Sequence, residues 1–191
     1  MNYDNNRHNA HNEIDHIFQD LFPTRNMAER PEQAALCHRM LDAMVEGGIA
    51  LCDAGTGIGK TYAYLVAGTV YSRFRAACGL DRKPILVSTS SIALQTAARD
   101  EYLPLLSDVL TEDGMITQPL QAVIRKGKSH YVCDTRLEQR LGQMDLQKKN
   151  WKAGAALLSL RGQLDMDEAA HLSHYDRERV CVPRICDCGR E

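Results

Sequence analysis

The sequence predicts an α/β fold, a parallel sheet flanked by helices, followed by a helical region without strand signals. Three observations point there. A glycine-rich run, Ala54-Gly55-Thr56-Gly57-Ile58-Gly59-Lys60-Thr61, sits between a short apolar run and a helical pattern. Up to Ile124, short apolar runs alternate with helical stripes, as strands and crossover helices do. From about Cys133 the pattern changes to a long, polar, helix-prone stretch, Thr135 to Leu160.

Taken in order, residues Met1 to His11 are rich in Asn and His and are expected to fray. Asn12 to Leu21 places Ile14, Ile17, Phe18 and Leu21 on one helical stripe, which Pro23 ends. Arg30-Pro31-Glu32-Gln33 opens a second helix, with proline in the first turn where its missing N–H costs nothing. Its stripe is Ala34, Cys37, Met40, Leu41 and Met44, and Gly47-Gly48 stops it. Gly47 to Asp53 reads as a buried strand and Thr61 to Tyr71 as a helix. Pro84 to Thr89 reads as a second strand, and Ser88-Thr89-Ser90-Ser91 offers capping chemistry for a helix running to Tyr102. Leu120 to Ile124 reads as a third strand.

The run from Ala54 to Thr61 has the chemistry of a phosphate cradle. Consecutive backbone N–H groups turned inward at a helix N-terminus bind phosphate oxygens. The glycines permit close approach and positive φ. In this reading Ala54, Gly55, Thr56, Gly57, Ile58 and Gly59 form the cradle, Lys60 reaches the terminal phosphates of ATP, and the Thr61 hydroxyl holds Mg²⁺. The bland alternative is a glycine-rich turn with a surface lysine.

Composition bounds the rest. The chain has 191 residues, 44% hydrophobic and 25% charged, enough for a sizeable core. No apolar run reaches the length of a membrane span and no signal peptide is visible, so a cytoplasmic location is expected. The net charge of −2 means that nucleic acid must be bound by a local patch. Such a patch exists on paper: Arg125 to Arg161 holds nine Lys or Arg against three Asp or Glu. A solvated helical face is the competing reading of that charge. Of the seven cysteines, Cys37, Cys52 and Cys78 are isolated and read as small core residues. Cys133 and the group Cys181, Cys186 and Cys188 bracket the helical stretch. Clustered cysteines in a reducing compartment suggest a metal or cluster before a disulfide.

Several segments, in order, resemble a known group. Arg30-Pro31-Glu32-Gln33 is similar to an adenine-contacting element, and Asp53 to Thr61 to a phosphate-binding motif. Val87-Ser88-Thr89-Ser90-Ser91-Ile92-Ala93-Leu94-Gln95 is similar to a motif that touches a DNA strand. Lys126-Gly127-Lys128-Ser129-His130-Tyr131-Val132-Cys133 and Cys181-Val182-Pro183-Arg184-Ile185-Cys186 are similar to cluster-binding segments. Together they resemble the N-terminal part of an iron–sulfur DNA helicase of the DinG/XPD type.

That resemblance implies a RecA-like parallel-sheet motor domain over residues 25–132, after an N-terminal helix in 1–24, with a helical cluster-bearing insert over 133–191. It implies ATP and Mg²⁺ at Lys60 and Thr61, with Arg30 and Gln33 on the adenine side. It implies single-stranded DNA at Ser88, Thr89, Ser90 and Gln95 and at the basic Lys126 and Lys128. It implies a 4Fe–4S cluster on Cys133, Cys181, Cys186 and Cys188. Thiolates suit such a cluster, zinc competes for the same donors, and unliganded core cysteines are the third reading. The family places its fourth cysteine further on, beyond Glu191 in this chain, so Cys188 stands in for it.

One family feature is not matched. The acidic Asp-Glu-x-His motif has a counterpart only in Asp167-Glu168-Ala169-Ala170-His171, one residue too long and without an apolar strand before it. That segment reads instead as a helix N-terminus, where carboxylates complement the dipole. The expectation is therefore a piece of a 5′ to 3′ ATP-dependent helicase of replication or repair, with a second motor half as partner. The alternative is a nucleotide- and DNA-binding module that does not hydrolyse. A small-molecule kinase would share the loop but leaves the Tyr131-Val132-Cys133 segment and the distal cysteines without a purpose.

Overall fold

The computed structural model describes residues 3–144, 151–168 and 172–185, in two compact units, Met1–Ile124 and Arg125–Glu191. The first unit is built on helices α1 (Tyr3–His16), α2 (Pro31–Glu46) and α3 (Lys60–Ala77), which pack on one another. Helices α4 (Ile92–Ala97) and α5 (Leu103–Glu112) follow, joined by a wider turn at Ala98–Tyr102.

Helix α1 starts at Tyr3, well upstream of the apolar stripe and inside the segment expected to fray. Tertiary contacts hold this Asn-rich turn. The Tyr3 ring stands edge-on to Phe74 at 5.3 Å, and the Asn6 amide donates to the Ala77 carbonyl at 3.2 Å. Arg7 pairs with Asp42 at 2.5 Å and Glu46 at 2.7 Å. The helix then widens over Ile17–Leu21 and tightens over Phe22–Arg25, so that Ile14, Ile17, Phe18 and Phe22 all turn inward. They meet Leu36, Cys37 and Leu41 of α2, Val66, Val70 and Phe74 of α3, and Leu106 and Leu110 of α5. Helix α2 begins with Pro31 and stops where Gly47 takes φ +66°. Burial and the Asp15 carboxylate push the Cys37 thiol far up, so it packs as a small hydrophobe. Cys52, expected in the core, is exposed, and Cys78 is half-buried.

The expected parallel sheet is not there. Among the described residues no strand forms, and the only ladder contacts are two isolated antiparallel bridges in the second unit. The segments read as strands, Gly47–Asp53, Pro84–Thr89 and Leu120–Ile124, form no ladder. A strand exists only when a second backbone lies about 4.8 Å away to complete its hydrogen bonds. Without that neighbour, side chains read as buried face solvent: Ile49 is 94% exposed, Leu51 97% and Leu86 93%. The α/β parallel-sheet assignment is therefore corrected to a helical one.

The second unit contains α6 (Asp134–Gly142), α7 (Trp151–Leu158) and α8 (His174–Val180). Leu137 and Leu141 of α6 pack on Leu157, Leu160, Met166 and Val180. The extended piece Tyr131–Cys133 lies between two others. Val132 donates to Leu164 at 3.0 Å, Cys133 donates to Val180 at 2.8 Å, and Val182 donates to Tyr131 at 2.9 Å. Helix α8 is capped by Ser173, whose hydroxyl accepts from the Asp176 N–H.

Candidate functional site

Residues 54–59 form an irregular loop that enters α3 at Lys60. Gly57 and Gly59 take φ +84° and +85°, the left-handed region that favours glycine. Gly59 is constrained twice over, since a Cβ there would stand 2.0 Å from the Gln33 amide nitrogen.

Two of the predicted nucleotide contacts are engaged by the loop itself. The Gln33 side chain, on α2 and only 4% exposed, donates to the Gly59 carbonyl at 2.6 Å. Arg30, at the N-cap of α2, donates to the Gly57 carbonyl. The start of α2 thus holds the loop by two of its backbone carbonyls. Lys60 bends back, its ammonium donating to the carbonyls of Ala54 at 3.0 Å and Gly55 at 2.6 Å. Lys60 thus covers the loop with its own cation. Thr61 is half-buried in the first turn of α3.

Ser88 and Ser90 are exposed, and the Thr89 hydroxyl accepts from the Ser91 N–H at 3.1 Å. Ser91 caps α4 by accepting from the Leu94 N–H at 3.2 Å. Gln95 is half-buried on α4, and its side-chain oxygen is enclosed without a hydrogen-bond partner. This segment is anchored on α3. Gly68 has no side chain to obstruct Ile85, whose methyl carbon would lie 3.1 Å from a Cβ at that position.

In the second unit the two predicted basic contacts diverge. Lys128 is exposed, its ammonium 3.3 Å from the Arg184 carbonyl. The Lys126 side chain is 8% exposed and pairs with Asp165 at 2.5 Å and Asp167 at 2.8 Å. Asp167 also receives Arg177 at 2.7 Å and faces the His130 ring at 3.2 Å. Burial works against its charge, but the hydrogen bonds from Lys126 and Arg177 and the nearby His130 hold the carboxyl down at about 2. The spacing of Lys126 from these carboxylates is non-local, so no sequence pattern announced the pairing.

Cys133 is buried and Cys181 half-buried. They lie on the paired pieces of chain, Cys181 opposite Val132 and Cys133 one residue further on. Backbone pairing thus draws two predicted thiol donors from distant parts of the sequence into one neighbourhood. Cys186 and Cys188, the other two, lie outside the described residues, as do Ala169 to His171 of the acidic segment. Among the described residues no set of three or more His, Cys, Asp or Glu side chains converges as a metal site. No described helix is long and apolar enough to cross a membrane.

Comparison with characterised proteins gives the chain relatives. It is 32% identical over 117 residues to the "3'-5' exonuclease DinG" of Bacillus subtilis, covering 61% of this chain and 11% of that protein. It is 35% identical over 122 residues to the "ATP-dependent helicase DinG" of Mycobacterium tuberculosis, covering 64% and 17%. It is 34% identical over 111 residues to the "ATP-dependent DNA helicase YoaA" of Escherichia coli, covering 58% and 15%. No protein-family description and no solved structure matches. The chain matches between 11% and 17% of the length of these relatives, and over that span it is similar to proteins named DinG and YoaA.

Proposed function

We propose that the chain supplies the nucleotide-binding and part of the DNA-binding surface of an ATP-dependent 5′ to 3′ DNA helicase acting on single strands. The observation that carries this is the loop at residues 54–60, with two positive-φ glycines and a lysine folded over its own carbonyls at a helix N-terminus. Backbone amides and the start of α3 suit the polyphosphate of ATP, and Thr61 suits Mg²⁺. Gln33 and Arg30 set the loop's shape by gripping Gly59 and Gly57. Exposed Ser88 and Ser90 in the first unit, and separately Lys128 in the second, suit DNA phosphates, which accept hydroxyl and ammonium donors without regard to sequence. Lys126 braces the segment that carries Lys128, since its own charge is taken up by Asp165 and Asp167.

The cysteines fit a cluster in donor type, and the pairing of Tyr131–Cys133 with Val180–Val182 supports Cys133 and Cys181 as two of its ligands, with Cys186 and Cys188 completing the set. A bound 4Fe–4S cluster would supply a covalent staple across the two ends of this unit. Protein purified without oxygen should be brown and contain iron; a colourless protein containing zinc would overturn the cluster.

A second reading, a module that binds nucleotide and DNA without hydrolysis, is favoured by one observation. Asp167, the nearest acidic counterpart of a Mg²⁺-holding motif, is bound to Lys126 and Arg177. Titration of the full chain with an ATP analogue, alongside Lys60→Ala, tests the common core of both readings. Loss of the lysine's charge-assisted bonds should weaken binding about 10- to 100-fold. Equal affinity in the two proteins would reject both. DNA-stimulated ATP turnover that disappears in Lys60→Ala selects the motor, and binding without turnover selects the module.

A further inference from the structure

A tyrosine and two arginines of the second unit form a layered group at its surface. Tyr175, in the first turn of α8, is 53% exposed. The guanidinium of Arg179, one turn further along α8, lies over the Tyr175 ring, its central carbon 3.4 Å from the ring centroid. Arg140 of α6 stands 5.2 Å from the same centroid. The group is distinct from the cysteines, from the basic pair Lys126 and Lys128, and from every motif read in the sequence.

The two arginines differ in what else they bind. Arg140 donates to Asp176 at 2.9 Å, and that carboxylate is 4% exposed and also accepts from the Ser173 hydroxyl at 2.6 Å. The charge of Arg140 is therefore matched inside the unit, and it backs the ring from a fixed place. Arg179 is exposed, and among the described residues no carboxylate pairs with it. The neighbouring Glu178 stands 3.9 Å from His174. The surface thus presents a flat layered pair and, at the same spot, a cation open to solvent. An unpaired nucleotide fits both: its base stacks on an aromatic ring or a guanidinium plane, and its phosphate takes the cation. A duplex offers only its phosphates, because its bases are already stacked on one another.

We propose that Tyr175 and Arg179 form a platform on which one base of single-stranded DNA stacks, with Arg140 holding the ring from α6. The inference rests on the DNA-binding reading given above and adds to it a contact with bases, where Ser88, Ser90 and Lys128 meet phosphates. Every base has a π-face, so the platform accepts any sequence and discriminates between single and double strands. All three side chains belong to the Arg125–Glu191 unit.

The experiment is binding of a fluorescent oligothymidylate to the full chain, read by anisotropy over a range of salt, beside a duplex of the same length. Tyr175→Ala should weaken the single strand about 10-fold, the loss of one base stack, and leave the duplex and the salt slope unchanged. Tyr175→Phe keeps the ring and should keep wild-type affinity. Arg179→Gln should weaken the single strand and lower the salt slope by about one. Full affinity in Tyr175→Ala, the same loss in Tyr175→Phe, an equal loss for the duplex, or an unchanged slope in Arg179→Gln overturns the platform and leaves the phosphate contacts standing. Wild type without affinity for single strands overturns the DNA-binding reading as well. Cross-linking of wild type to an oligonucleotide carrying iodouracil needs no variant: the adduct should fall on Tyr175, and adducts elsewhere alone overturn the platform.

Discussion

The two units are stabilised in different ways. In the Met1–Ile124 unit sixteen buried apolar residues from four helices form one continuous core, and the ion pairs lie at its margin. In the Arg125–Glu191 unit the cluster holds seven such residues among those described, and charged side chains enter the structure itself. Asp176 is 4% exposed and bonded to Arg140, and Lys126 is enclosed between two carboxylates. The difference teaches what a short stretch does when it lacks apolar surface. Below a certain size a core cannot offset chain entropy by itself, so ion pairs, short backbone bridges and, on the reading above, thiolate ligation supply the remainder.

The contrast can be broken most forcefully from the apolar side. Leu41→Ala removes a fully buried side chain from the larger core and should cost about 2–5 kcal/mol in chemical denaturation, leaving the second unit's signal in place. A loss below about 1 kcal/mol would mean that the first core is not the continuous cluster described. Next comes Arg140→Ala, which leaves the Asp176 carboxylate buried with only Ser173 as partner. It should destabilise the second unit by about 2–3 kcal/mol, read by hydrogen exchange of α6 and α8. Little change there would place the second unit's stability in its small apolar cluster instead.

The smallest effect sharpens the comparison through pH. Asp167 is held at about 2 in the folded protein and returns to roughly 3.9 when unfolded. A carboxyl lowered by folding contributes stability that is full above the unfolded value and is lost as pH falls towards the folded one. Acid melting between about pH 4 and 2 should therefore weaken the second unit by up to about 1 kcal/mol, after allowance for solvent screening, and Asp167→Asn should flatten that slope. An unaltered slope would remove Asp167 from the acid response.

Local signals were legible in the sequence, and non-local ones were not. Pro31 and Gly47 mark the limits of α2 because each acts on its own φ angle, and Lys60 opens α3 directly after Gly59. The start of α1 escaped the reading because its low-propensity residues are held by Phe74, Ala77 and Asp42, far away along the chain. The three apolar runs have strand composition, but pairing belongs to two segments and cannot be read from one. At the site, the glycine positions announced a loop of irregular backbone, with positive φ at Gly57 and Gly59. The burial of Gln33 against Gly59 and the capture of Lys126 by Asp165 and Asp167 depend on separations of 26 and 39 residues. The rings of His11 and His38, whose Nδ1 atoms meet at 2.8 Å, left one trace, a His–Asp spacing of four repeated in two helices, which carries meaning only once the helices lie side by side.

The bare backbone at Gly68 has a mechanical consequence. Lys60 and Gly68 lie about 12 Å apart along α3, the one in its first turn and the other near its middle. The helix begins in the loop, and at Gly68 it bears directly on Ile85 with no side chain to cushion the contact. On the proposed function, a tilt of α3 as its first turn takes up a phosphate would pass to the 84–89 segment as a lever passes it, by displacement.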